Sequence, residues 1–256
     1  MLTEGEKTLH RESNEEPNSP NFAPSPQAFS SQTCVFMLSH VMAAPFSTFA
    51  DPDLSLLEER LQARREQFAL RTLRESPLSL IEGLPTRLIH QSLTGIQADE
   101  GSVWLAMDDS QVLVPAWNNG PDAARFVGRF RLPATQGITG MVFTGGLAAC
   151  ESEVCFHQRQ NRELDRSLSV LTWAMLAVPF KFAGEIRGVI TAVRLIRLHD
   201  LPGLSRMPES RAEFPPDYTP PPSFSIADLH AMETSAAAVG RLIDHRLTAW
   251  ALGTEE

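Results

Sequence analysis

The stretch MLAVPFKFAGEIRGVITAVRL, residues 175–195, constrains the fold more than any other part of this chain. Two runs rich in β-branched and apolar residues flank Ala183-Gly184-Glu185, the pattern of a β-hairpin with a tight turn. Pro179 must occupy a strand position that forgoes a ladder hydrogen bond, and Gly184 supplies a turn conformation that a side chain resists. The return arm does not alternate strictly, as expected of a central strand covered on both faces. Gly188 within it allows another backbone to approach closely.

A hairpin buried on both sides needs a domain around it, and the chain has the material for one. It has 256 residues, of which 43% are hydrophobic, enough for one domain of ordinary size with appendages. Its formal net charge of −9 argues against nucleic acid as a partner, because phosphate binding needs a basic surface. Three cysteines, Cys34, Cys150 and Cys155, form no even disulfide set, and no basic-then-apolar leader precedes them. The expectation is a reducing, cytoplasmic location with no membrane segment.

Residues 1–50 are rich in Pro, Ser, Asn and Glu without a sustained period and are expected to be a disordered tail. Met37 and Met42 stand as alternative starts within it. Asp51-Pro52 then reads as a helix start, and residues 51–75 form an amphipathic helix with Leu54, Leu57, Leu61 and Phe68 along one stripe. That helix packs on the domain or forms half of a helical dimer contact. A second helical stretch, residues 78–94, contains Pro85, which should kink or split it. The period then shortens to that of strands at residues 101–109 and 111–119, with a third strand at 128–132. GITGMVFTGG, residues 137–146, suits a short helix bounded by glycines. The connection 147–171 concentrates polar and reactive side chains, and residues 199–223 form a Pro-rich insertion, either disordered or a functional arm. Ser225 and Asp228 have capping-box spacing ahead of a final helix. Its apolar stripe from Leu229 to Trp250 looks longer than one small sheet can cover, which favours self-association.

Four pieces in this order resemble the GAF family of small sensory domains: GITGMVFTGG, HQRQNRELDRS (residues 157–167), the 175–195 hairpin, and FSIADLHAMETSAAAVGRLI (residues 224–243). They fall within residues 78–246. The resemblance implies an α/β (α+β) domain over residues 76–250. It would have a central, mostly antiparallel six-stranded sheet with helices packed on one side and flanking terminal helices. It also implies a small-molecule pocket roofed by residues 150–172, for which Phe143, Cys155, Phe156, His157, Arg159, Asp165, Thr172 and Trp173 are the candidate ligand-binding residues. The family's members bind cyclic nucleotides, bilins, haem or other small ligands, or act as dimerisation modules, and fold alone does not choose among these.

The specific signatures are incomplete. Of the cyclic-nucleotide signature only Phe224 and Asp228 match; Leu229 replaces the Glu, and Arg194 and Arg197 stand where an Asn-Lys pair would be. Cys155-Phe156-His157 departs from a bilin attachment site. Cys150, Cys155 and His157 offer three soft ligands without a fourth, and no metal is expected there. Free methionine sulfoxide reductases of the same family use reactive cysteines in the Gly-flanked turn and ahead of the Val-Pro strand, where this chain has none. Gly-x-Ser-x-Gly, P-loop, His-Glu-x-x-His and kinase motifs are absent. The expected role is therefore a non-catalytic regulatory module, homodimeric through its terminal helices, with a small ligand and a separate signalling partner. The cofactor remains unnamed. A sulfoxide reductase and a ligand-free scaffold, its interior plugged by Phe143, Phe156 or Trp173, are the alternatives.

Overall fold

The computed structural model describes residues 52–254 except 108, 202, 203 and 205. The N-terminal tail and the capping role of Asp51 lie outside the described residues. Helix α1 (Pro52–Glu75) is followed by α2 (Pro77–Ile81) and α3 (Leu84–Gly95). The split falls at Gly83, whose φ of 81° breaks the helical path, and Pro85 opens the first turn of α3, where its missing N–H costs nothing.

The sheet follows: β1 (Glu100–Met107), β2 (Val112–Asn118), β3 (Leu132–Pro133), β4 (Ala149–Ser152), β5 (Val170–Phe182) and β6 (Glu185–Arg197). The spatial order is β3-β2-β1-β6-β5-β4, and every neighbouring pair is antiparallel. The six strands match the expected sheet, with differences of detail. The strand expected at 128–132 is only Leu132–Pro133, because α4 (Ala123–Phe126) and a turn at Gly128 (φ 72°) occupy the chain before it. The sixth strand, β4, lies inside the polar connection, and β5 starts five residues earlier than its pattern suggested. Both edges are short, which limits unwanted strand pairing.

The hairpin β5–β6 is closed by Ala183-Gly184 alone, with φ of 50° and 85°. Two successive positive φ values are the geometry of a two-residue turn whose twist matches its strands. Pro179 lies beyond Ala177, the last β5 residue paired with β4, so its missing N–H breaks no ladder. At Gly188 a Cβ would run into the Trp104 carbonyl of β1, so this glycine permits the close approach.

Two cores sandwich the sheet. On one face α1, α3 and the final helix α7 (Ile226–Leu252) pack on Val103, Leu105, Leu176, Val178, Phe180 and Ile190. The capping box of α7 is complete: the Asp228 N–H donates to Ser225 Oγ at 3.1 Å, and the Ser225 N–H donates to Asp228 Oδ2 at 2.8 Å. The long stripe of α7 is covered within the chain, with Met232, Ala236, Val239, Ile243 and Leu247 all buried. The central stripe thus does not itself require a second copy. Gly240 makes the close packing work, since a Cβ there would overlap the Lys181 carbonyl. On the other face α5 (Gly137–Gly145) lays Ile138 and Val142 on Trp104, Met175, Ala177 and Val189.

The Pro-rich insertion is an arm docked on the helix-side core. Leu201, Phe214 and Phe224 are buried, and Phe214 sits in an aromatic cluster with Phe156, Trp173 and Tyr218. The Arg211 guanidinium lies 5.1 Å from the Trp173 ring and 4.9 Å from Phe214, a cation–π clasp.

Candidate functional site

The face of the sheet opposite α7 does not close completely. Short α6 (Glu163–Leu168) and α5 stand off from β1, β5 and β6 and leave a cavity of about 90 Å³. The sheet contributes Ser102 and Trp104 from β1, Thr172 and Met175 from β5, and Thr191 and Val193 from β6. The α4 region adds Phe126 and Phe130, and Ile138, Thr139, Leu164 and Asp165 close the other side. Glu100 and Asn118, at one end of β1 and β2, complete a polar rim.

These polar groups are held in place. Trp104 Nε1 donates to Thr191 Oγ1 at 3.1 Å, both buried, and the indole edge meets Phe130 at 6.2 Å in a T-shaped contact. Asn118 Nδ2 donates to Ser102 Oγ at 3.0 Å, while its Oδ1 accepts from the Gly120 N–H. Asp165, 5% exposed, accepts from the Thr172 N–H at 3.0 Å and from the Thr172 hydroxyl at 2.9 Å. These two bonds tie α6 to the start of β5 across Ser169, whose φ of 56° turns the chain. Burial raises the Asp165 carboxyl above the ordinary carboxylate range, against the Thr172 bonds and the nearby Arg162, which pull it down. Burial likewise raises Glu100, opposed by the Asn118 hydrogen bond and Arg197, with Asp122 and Asp99 adding to the rise.

Of the eight candidate residues, Asp165 and Thr172 line the cavity together. Phe143, on α5, packs against the core on that face of the sheet, and His157 and Arg159 lie in a shallow groove. Cys155, Phe156 and Trp173 belong to the helix-side core with the arm. A β-bulge accounts for Trp173: the register jumps between Thr172 and Ala174, so Thr172 keeps the cavity side and Trp173 turns to the other. None of Phe143, Phe156 and Trp173 plugs the cavity. Glu100, Ser102, Trp104, Asn118, Phe130 and Thr191 escaped the sequence reading. Alternation along the first hairpin placed Ser102 and Trp104 on one face, and that was the available signal.

The two thiols among the described residues, Cys150 and Cys155, are held in their protonated form where they stand. Burial pushes Cys155 up to about 12, with Asp165 adding to it, and Cys150, raised by burial and by Glu151, donates to the Phe224 carbonyl at 3.6 Å. Among the described residues no three His, Cys, Asp or Glu side chains are grouped to hold a metal ion, and no helix is long and apolar enough to cross a membrane. Arg194, considered for a nucleotide, is spent on structure: it stacks 4.5 Å over Phe224 and donates to the Pro222 and Ile96 carbonyls.

Sheet and cavity together define an α+β domain with a packed core on each face and, on the α5 face, a small chamber lined by apolar and polar side chains. No protein-family model matches the chain, and no curated protein matches it. Among solved structures it is similar to the GAF domain of an Acinetobacter phosphoenolpyruvate-protein phosphotransferase, at 18% identity over 76% of this chain and 98% of that one, TM-score 0.46. It is similar to the GAF domain/HD domain protein of Geobacter sulfurreducens, at 13% identity over 69% and 96%, TM-score 0.46. It is also similar to the free methionine-R-sulfoxide reductase of Neisseria meningitidis, solved with its substrate, at 16% identity over 77% and 95%, TM-score 0.41. Identities this low leave the chemistry of the cavity to be read from this chain's own side chains.

Proposed function

We propose that this chain is a GAF-like regulatory module that receives a small molecule in the cavity between α5, α6 and the sheet. It would act on a separate partner, as a homodimer joined through its terminal helices, in the reducing cytoplasm. The observation that carries the reading is the cavity itself: about 90 Å³, with Asp165, Glu100, Thr172, Thr191 and Asn118 converging on it. A gap left by packing alone is lined by apolar side chains only, whereas here polar groups face the gap beside the apolar ones. A chamber of this size holds roughly six water-sized bodies, whereas sites for drug-sized ligands run to roughly 300–1,000 Å³. Cyclic nucleotides, bilins and haem are therefore poor fits, in line with the missing signatures.

The raised thiols favour binding over sulfoxide reduction, since the thiolate is the nucleophile such a reaction needs. Native mass spectrometry of protein purified from its own host tests the reading. A small adduct that is lost from a Thr191→Val, Asp165→Asn double variant is expected. Thiol-dependent turnover of free methionine sulfoxide, abolished in Cys150→Ser or Cys155→Ser, would replace binding with catalysis.

A further inference from the structure

The cavity's side chains say what charge it accepts. Its two ionisable lining residues, Glu100 and Asp165, are both acids, and no Lys, Arg or His lines it. The same cavity is lined by aromatic rings: Trp104, buried at 6% exposure, Phe126 at 5%, and half-buried Phe130. Two carboxylates and aromatic rings in one lining, with Arg197 near Glu100 and Arg162 near Asp165 standing outside that lining, form a receptor for a positive group.

Both acids have structural neighbours, but those neighbours do not require a charge. A neutral amide in place of Asp165 keeps both contacts to Thr172, its oxygen accepting from the N–H and its NH2 donating to the hydroxyl. Each Asp165 oxygen accepts a single bond, so each keeps a lone-pair site for a further donor. The Glu100 carboxyl lies against Gly120, where a Cβ would overlap it and displace it. Outside, Gly137, Gln160 and Asn161 line both the cavity and a shallow groove bearing Arg159, Arg162 and Arg166. Arg159 and Arg166 are exposed to water that screens them and Arg162 is half-buried near Asp165, whereas buried Asp165 and half-buried Glu100 act through a lower dielectric.

Resting on the reading of the cavity as a ligand site, we propose that it selects a small protonated amine, its ammonium group held between Glu100 and Asp165 against the Trp104 and Phe130 rings. A free alkylamine and the ammonium end of a small amino acid share this chemistry. They differ in the carboxylate that the second would leave among the groove arginines.

Calorimetric titration of the full chain with n-propylammonium, n-propanol, propionate and alanine tests the proposal. Propylammonium should bind at least about ten-fold more tightly than propanol, and propionate should not bind. Glu100→Gln and Asp165→Asn should each remove that preference. Gly120→Ala, which displaces the Glu100 carboxyl rather than deleting it, should weaken the amine by a similar factor with little change in melting temperature. Alanine binding more tightly than propylammonium, with the excess lost in Arg162→Gln, identifies the amino-acid source; equal or weaker binding identifies the simple amine. Propanol or propionate binding as tightly as the amine, or amine binding indifferent to both acid substitutions, overturns the charge selection and leaves a ligand cavity standing. No binding by any of the four, together with an adduct-free native mass spectrum, overturns both.

Discussion

Asp165 concentrates the chemistry of this molecule in one side chain. Its raised carboxyl means that the native state holds a proton at pH values where the unfolded chain has released it. Stability from this group is therefore full below the ordinary carboxylate range and falls as pH rises through the raised native value. Urea titrations from about pH 3 to about pH 7 should show that slope in the parent and lose it in Asp165→Asn, which keeps the bonds to Thr172 by turning its amide. The variant should equal or exceed the parent near neutrality. Asp165→Ala should instead cost roughly 1–3 kcal/mol at any pH, because the Thr172 N–H is buried and left without its acceptor. A parent no more sensitive to pH than the Asn variant would mean the carboxyl titrates normally. The charged groups around it are Arg162, which favours its ionised form, and the Cys155 thiol, itself raised in part by Asp165. An ammonium ligand would favour the ionised form further, so amine affinity should fall as pH drops below the raised value.

Among the elements, the β5–β6 hairpin shows what a sequence displays and what it conceals. Val178-Pro179, Gly184 and Gly188 mark the hairpin because each answers a backbone requirement met within a few residues. The two helices that grip its tip leave no such mark. Asp244 of α7 accepts from the Ala183 N–H at 2.7 Å, Gln62 of α1 donates to the Ala183 carbonyl at 3.3 Å, and Arg65 bridges to Asp244 at 2.8 Å. These contacts span 61 and 121 positions, and no periodicity carries information over such distances. The same holds for the Trp173 bulge. A strand pattern assigns Thr172 and Trp173 to opposite faces but does not reveal that Ala174 then shares Trp173's face. Hence the cavity lining by Asp165 and Thr172 was legible in the sequence, while that by Glu100, Asn118 and Phe130, brought in by sheet pairing and by the unforeseen α4, was not. The grip is itself testable. Ala183 is fully buried at a positive φ that a side chain resists, so Asp244→Ala should cost about 2 kcal/mol in chemical unfolding. Arg65→Ala should cost less, since its partner carboxylate is about a third exposed to water. A double-mutant cycle should return a coupling between the two of about 0.5 kcal/mol or more; strict additivity would show that Asp244 acts on the turn alone.

At the scale of the whole molecule, cavity and helices meet through β6. Thr191 on one face holds Trp104, while its neighbours Ile190 and Ala192 belong to the core under the helices on the other. A shift of this strand is thus felt on both sides, the arrangement a receptor module needs. The output surface is then a matter of which helix has apolar area left. The central stripe of α7 is consumed inside the chain, leaving apolar area only at its two ends, Ile226 and Leu252, and the C-terminal half of α1 is buried through Ala69 and Leu73. Leu56 and Leu57 on the N-terminal half of α1 remain 49% and 60% exposed, with Leu70 at 41%. A dimer through the terminal helices would therefore be seated chiefly on α1, with α7 as its support. Light scattering of the full chain at high protein concentration should give twice the monomer mass, and the Leu56→Glu, Leu57→Glu pair should return it to the monomer. Because both side chains are already largely in water, unfolding stability at low concentration should change by no more than about 0.5 kcal/mol per site. A parent that remains monomeric would remove self-association from the function and leave α1 free for a different protein. A glutamate pair that unfolds the domain would place these leucines in its own core instead.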